Sequence, residues 1–290
     1  MTQVKHARFA LAAAMAVFGT IGLFVRNIQV TSGELALYRA VMAVLILGGY
    51  FVATKQPLEL GRIRKELSLL LISGMAVGIN WVLIFEAYKY TTVSVATLSY
   101  YFAPVLVTLA CPILFKEKMG VKQWVCFAMS TLGIVLITGI GDLSGGSSHL
   151  TGILLGLGAA VFYATAVLLN KFIRGVAGIQ RTFLQFLAAI LVLVPYVWAT
   201  SGMTLENMTG TGWVCLAIVG VVHTAITYCV YFSCLKELPG QEAAILSYID
   251  PLVAVMVSVF LLGEQMTAVQ LAGGALILGF TLWNELGAKN

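Results

Sequence analysis

Charge is what this chain has least of: Asp, Glu, Lys and Arg make up 10% of its 290 residues, against 60% hydrophobic. That balance lies far outside the range of soluble domains. The five cysteines (Cys111, Cys126, Cys215, Cys229 and Cys234) all fall inside apolar segments, odd in number and without metal-ligand spacing. They read as small buried apolar residues. There is no phosphate-cradling glycine loop, no nucleophile elbow and no Cys/His cluster. No cofactor or metal is therefore expected, and the chain is not expected to be an enzyme. The formal net charge of +5 does not point to nucleic acid, because the positions of the basic residues follow membrane topology.

What the chain does have is one apolar run after another. Ten runs approach or exceed the roughly twenty residues that cross a bilayer as a helix. In the first half they cover Arg8–Val25, Gly33–Ala53, Leu67–Tyr88, Val93–Phe115 and Val121–Gly139. In the second half they cover Leu150–Phe172, Gln180–Ala199, Gly212–Leu235, Gln241–Leu262 and Thr267–Leu286. The expectation is an all-α integral membrane protein with ten transmembrane helices. The residues left over make short connections, with no room for a soluble catalytic domain. The first run ends at Arg26 without a clear cleavage site and reads as a retained helix, not a signal peptide.

Lys and Arg fall unequally on alternate sides of these runs. Fourteen lie on one side: Lys5, Arg8, Lys55, Arg62, Arg64, Lys65, Lys116, Lys118, Lys122, Lys171, Arg174, Arg181, Lys236 and Lys289. Arg26 and Lys89 lie on the other, and Arg39 falls within a run. The positive-inside rule makes the rich side cytoplasmic, so both termini are expected inside, in the plasma (inner) membrane.

The chain also repeats itself. At an offset of 147, Pro104 meets Pro251, Glu117 meets Glu264, Met119 meets Met266 and Gln123 meets Gln270. Leu98-Ser99-Tyr100 matches Leu246-Ser247-Tyr248 at an offset of 148, Ala16-Val17-Phe18 resembles Ala160-Val161-Phe162, and Gly74 falls opposite Gly220. Residues 1–140 form the first five-helix repeat and 150–290 the second, joined by a Gly/Ser-rich loop over 141–149. Five spans per repeat is an odd number, so the halves sit oppositely in the membrane. Inverted repeats place a substrate site at their interface near the midplane, around which access can alternate.

This arrangement resembles the drug/metabolite transporter (DMT) superfamily, specifically its EamA-type members. The resemblance rests on a proline midway along each fourth helix, Pro104 and Pro251. An acid follows each apolar run, in Lys116-Glu117-Lys118 and Gly263-Glu264-Gln265, and a Gly-containing fifth helix comes next. Arg39 looks like the family's second-helix arginine, with Gln185 in the corresponding region of the second half. Asn80-Trp81 and Tyr88-Lys89-Tyr90-Thr91 are also similar to the family. The resemblance implies small-molecule transport, often export, through a cavity formed by the first, third and fourth helices of each repeat.

Asp250 stands out because an acid at mid-depth is costly to keep without a role. It is a candidate proton carrier or partner for a substrate ammonium; the bland reading is a hydrogen-bonded group that holds the helix bend. Pro104 and Pro251 each remove a backbone donor and are expected to kink their helices. His223, Thr227, Tyr231 and Cys234 share one face of the eighth helix, so His223 and Asp250 together are the candidate coupling pair. His223 also reads as an ordinary hydrogen-bonding link between helices. The expected cavity lining is Asn80, Trp81, Tyr100, Tyr101, Tyr163, His223, Thr227, Tyr231, Ser247, Tyr248 and Asp250.

Arg39 lies close enough to the outer face to snorkel; its plainer reading is a structural tie to a helix-end carbonyl or to a nearby acid such as Glu34. Gly74 with Gly78, and Gly152 with Gly156, are spacings that let helices approach closely. Gly139-Ile140-Gly141-Asp142 matches an intramembrane aspartyl protease pattern but lies at a helix end. Asn207-Met208-Thr209 is a glycosylation sequence with no secretory context.

The function these residues point to is secondary transport of a small amphipathic or aromatic metabolite, an amino acid for example. It is expected to run outward by alternating access, with protons as the coupling partner. The expected partners are that solute, the lipid bilayer and protons. An uncoupled facilitative pore and a non-transporting scaffold or sensor remain open alternatives.

Overall fold

A computed structural model describes residues 2–55, 60–115, 120–138, 146–173, 175–176, 178–200, 202–238 and 246–286. The described residues are almost entirely helical. The first half contains α1 (Thr2–Gly19), α2 (Ile21–Val25), α3 (Ser32–Thr54), α4 (Leu60–Tyr90), α5 (Val93–Tyr100), α6 (Ala103–Phe115) and α7 (Val121–Thr138). The second contains α8 (Gly146–Phe172), α9 (Gly178–Thr200), α10 (Gly210–Ala217), a π-helical stretch (Ile218–Ile226), α11 (Thr227–Glu237), α12 (Ile249–Phe260) and α13 (Ala268–Leu286).

Seven of the described helical stretches are long and apolar enough to cross a membrane: Lys5–Val25, Ser32–Thr54, Ile63–Tyr90, Val93–Ala110, Ser148–Phe172, Gly178–Thr200 and Gly210–Tyr231. Val121–Ile137, Ile249–Phe260 and Ala268–Asn284 are shorter apolar helices. The expected start of the ninth span at Gln241, as well as Glu117 and Gly139–Asp142, lies outside the described residues. α8 begins at Gly146, inside the stretch expected to be loop. Its first turns are tied down by tertiary contact, with His149 Nδ1 2.9 Å from Thr91 Oγ1.

The halves interleave instead of packing side by side. α4 packs against α8 and α9, α3 against α9 and the π stretch, and α1 against α11 and α12. α5 meets α8 and α12, and α7 meets α13. Exchanging the two halves maps this pattern onto itself. The pairing of α4 with α8 corresponds to that of α1 with the eighth-span segments, and α7 with α13 corresponds to itself. The internal repeat in the sequence therefore reappears as a two-fold relationship in packing.

Glycines set the closest approaches. A Cβ on Gly133 would lie 2.6 Å from the Gly273 carbonyl, and one on Gly273 would lie 2.6 Å from the Gly133 carbonyl. The α7–α13 crossing thus depends on both residues lacking a side chain. Gly74 meets the backbone of Gln185 where α4 crosses α9, and Gly156 meets Ala96 and Ser99 where α8 crosses α5.

Side chains cap the starts of α5 and α3. At the head of α5, the Val93 N–H donates to Glu264, the Ser94 N–H to Ser258 Oγ and the Val95 N–H to Thr92 Oγ1. Three of the four amides that a helix start leaves unpaired are thereby satisfied by side chains, two of them from the other half of the molecule. Glu264 also pairs with Arg26 and accepts from the Ser258 hydroxyl. α3 opens with a reciprocal capping box between Thr31 and Glu34.

Candidate functional site

Four of the expected spans lose regular helical geometry, and the irregularities meet. In the first half, α5 stops at Tyr100 and α6 begins at Ala103, with Tyr101 and Phe102 forming a turn. Pro104 lacks an N–H and disfavours helical geometry in the residue before it, so it takes a place in the first turn of a new helix. In the second half, Leu246 and Ser247 are helical, Tyr248 turns, and α12 begins at Ile249 with Asp250 and Pro251 in its first turn. The expected kinks are therefore helix breaks. Pro195, by contrast, sits inside α9 without interrupting it.

The two breaks touch. The Tyr101 hydroxyl donates to Asp250 Oδ2 at 2.6 Å, from the first half to the second. Tyr101 stands edge-on to Tyr100 (5.6 Å between ring centroids), and Tyr100 edge-on to Tyr163 of α8 (5.3 Å). This brings Tyr100, Tyr101, Tyr163 and Asp250 together. Ser247 and Tyr248 form the break itself, with Tyr248 buried. Behind them α1 breaks at Thr20. Gly19 there lies so close to α12 that an added Cβ would sit 2.5 Å from the Asp250 carbonyl.

The fourth irregularity is the π-helical stretch. Its side chains bond to carbonyls five residues back: Thr224 Oγ1 to Val219 O (2.8 Å) and Thr227 Oγ1 to Val222 O (2.7 Å). The wide turn makes this spacing natural. His223, 1% exposed, places Nε2 2.9 Å from Thr20 Oγ1, and Thr20 donates to Val17 O at 2.7 Å. The hydroxyl has one proton and gives it to Val17, so it accepts from Nε2–H. The expected His223–Asp250 pair is not made: each has its own partner, and His223 links the π stretch to the break in α1.

Asn80 donates to Ala159 O at 2.7 Å, tying α4 to α8. Thr227 is satisfied within its own helix, and Tyr231 packs beside the α1–α11 cluster with Cys234 and Leu246. Asn80 and Thr227 make these bonds away from the Asp250–tyrosine group, whereas Tyr231 lies within electrostatic reach of Tyr163. Trp81 lies with Arg39, whose guanidinium carbon is 4.2 Å from the indole centroid and 5.2 Å from that of Phe85.

Arg39 is a correction. It is 4% exposed and does not snorkel, and Glu34 is already engaged by Thr31, Tyr38 and Thr204. Its Nε–H donates to Thr224 Oγ1 at 3.1 Å. Desolvating a guanidinium costs several kcal/mol. A desolvated cation–π contact returns about 2 kcal/mol, and a charged hydrogen bond about 1.5–3 kcal/mol.

Sequence reasoning also missed Thr20 and Tyr228. Tyr228 stacks edge-on with Phe18 (5.1 Å) and Phe186 (5.4 Å). Tyr88, Tyr100 and Tyr228 lie within electrostatic reach of both Arg39 and Asp250. Regular helical spacing pointed to His223, Thr227 and Tyr231. One extra residue in a turn rotates everything after it by about 100°, which brings Thr224 and Tyr228 toward Arg39.

An all-helical, repeat-built membrane protein with an acid, a buried base and tyrosines at meeting helix breaks defines the class of membrane transporters. The chain belongs to the EamA-like transporter family, whose profile matches residues 7–139 and again 150–284. It is similar to "Uncharacterized transporter YxxF" of Bacillus subtilis, 29% identical over 99% of this chain and 93% of that protein. An "Uncharacterized transporter" of Archaeoglobus fulgidus is 27% identical over 97% and 98% respectively. A Salmonella typhimurium protein named "Probable amino-acid metabolite efflux pump" is 26% identical over 60% of this chain and 61% of its own length. A solved crystal structure matches with a TM-score of 0.66 over 95% of this chain and 96% of its own, at 16% identity, a likeness of fold. The protein is thus a multi-pass membrane transporter.

Proposed function

We propose that the chain is a ten-span secondary transporter of two inverted five-helix repeats in the plasma membrane, both termini cytoplasmic. It moves a small amphipathic metabolite, an amino acid for example, outward by alternating access. The carrying observation is the Tyr101–Asp250 hydrogen bond between the two helix breaks. Broken helices at mid-depth are where carriers of repeat architecture hold solute and coupling ion. Asp250 is the proton-coupling residue. Tyr100, Tyr101 and Tyr163 form the aromatic wall that grips the apolar part of the solute, and Tyr248 and Ser247 complete the break beside it. Trp81 extends the wall toward Arg39, while Asn80, His223, Thr227 and Tyr231 hold the surrounding helices in place. The name of the Salmonella relative, an amino-acid metabolite efflux pump, supports the solute class and the direction.

The test is flux in proteoliposomes reconstituted with the purified protein. Saturable counterflow of an amino acid that also responds to an imposed pH gradient is expected. Flux that is non-saturable and indifferent to pH would replace the carrier with an uncoupled pore.

A further inference from the structure

Arg39 is the buried charge that the transport reading leaves unused. Among the described residues it has no carboxylate partner, and only its Nε–H makes a hydrogen bond, to Thr224. Both nearby candidates are engaged elsewhere, Glu34 with Thr31, Tyr38 and Thr204, and Asp250 with Tyr101. The repeat-related position behaves differently. Gln185 spends its amide hydrogens on Ser73 (2.8 Å) and Asn170 (2.7 Å). One half closes its polar group, and the other leaves the terminal nitrogens of a guanidinium free. Those nitrogens form a planar fork that matches a carboxylate with two parallel hydrogen bonds. Trp81 and Phe85 pack on the guanidinium and hold it in place without neutralising it. Tyr88, Tyr100 and Tyr228 feel both Arg39 and Asp250, so the two charges border one tyrosine-lined region.

We infer that the translocated solute carries a carboxylate and that Arg39 receives it, making Arg39 the residue that selects carboxylate-bearing amphiphiles over purely cationic ones. The inference rests on the transporter reading above and narrows its solute class.

The experiment is thermal unfolding of the full-length protein in detergent, titrated with matched probes: L-phenylalanine, 3-phenylpropionate and phenethylamine, then L-leucine and isoamylamine. At least one amino acid is expected to stabilise the protein while its amine does not. Arg39→Lys, which keeps the charge and loses the fork, is expected to weaken that binding at least tenfold, measured against the unliganded melting temperature of the same variant. Arg39→Gln is expected to abolish it. Amines that stabilise as well as their parent acids, unchanged affinity in Arg39→Lys, or no response to any carboxylate probe would each overturn the inference. Counterflow separates it from the transport reading. Ethidium counterflow without carboxylate binding leaves a transporter and removes the role of Arg39. Carboxylate binding without counterflow of any probe leaves Arg39 its ligand and removes the transporter.

Discussion

Tyr101 donates its hydroxyl proton to the carboxylate of Asp250 across 2.6 Å, joining the broken helix of one half to the broken helix of the other. The acid has no counterpart in the first repeat, where Ala103 stands instead, so the two-fold scaffold carries an asymmetric chemical group at its centre.

Asp250→Asn keeps an oxygen to accept from Tyr101 and removes the ionisable proton. Amino-acid counterflow is expected to survive, whereas uptake driven by a pH gradient should fall at least tenfold. Proteoliposome flux with and without the gradient measures both. Undiminished gradient-driven flux would remove Asp250 from coupling.

Tyr101→Phe leaves the carboxylate without its partner. Orphaning a buried acceptor costs about 1–3 kcal/mol, so the melting temperature in detergent should drop, and further than for Tyr163→Phe. Tyr163 is 40% exposed, and its contact with Tyr100 is through the ring, which phenylalanine retains.

Gly19→Ala drives a methyl group toward the Asp250 carbonyl and the Val253 side chain, where the gaps are 2.5 and 2.7 Å. Overpacking of this kind costs about 1–3 kcal/mol. Because the neighbour is backbone at the break itself, transport should fall together with thermal stability. The same substitution at Gly49, where no atom lies within 4 Å of the added methyl, should leave both unchanged.

His223→Gln should lower thermal stability by loosening the link to Thr20 while leaving the pH response of transport intact. The structure gives His223 a helix-tying role and no contact with Asp250. A lost pH response in a folded His223→Gln protein would return His223 to the coupling machinery.

Glu264→Ala should destabilise more than Arg26→Ala. Glu264 serves the α5 start, Ser258 and Arg26 together, and losing such a cap costs about 1–2 kcal/mol. Arg26 is 36% exposed at its side chain, where solvent screens much of the pair. Thermal melts of the two variants in the same detergent give the order.

Much of the fold was legible in the chain because membrane physics writes long signals. Twenty apolar residues in a row, basic residues on alternate sides and a pair of prolines 147 positions apart are hard to produce by chance. Asp250 and its tyrosines were legible for the same reason, since an acid in an apolar run is conspicuous. Arg39 was visible, yet its partners were misjudged. Nothing in the sequence around Glu34 says that Thr204, 170 positions away, takes the carboxylate first. Thr20 and Tyr228 gave no signal at all. They matter through a break in α1 and a π turn, which no helical periodicity anticipates.

The sequence by itself determined that this is an all-helical membrane protein, that it is built twice, and that one copy carries an acid where the other has alanine. Each follows from composition, spacing and the cost of polar groups in lipid. Only the tertiary structure decided that the prolines begin new helices instead of bending old ones, that Tyr101 and not His223 meets Asp250, and that Arg39 is buried on Trp81 with no acid beside it among the described residues. Those outcomes depend on which carbonyls, hydroxyls and rings of the other half arrive at each freed group. Hydrogen bonds act over about 3 Å, so the choice of partner is made by packing between segments more than a hundred residues apart.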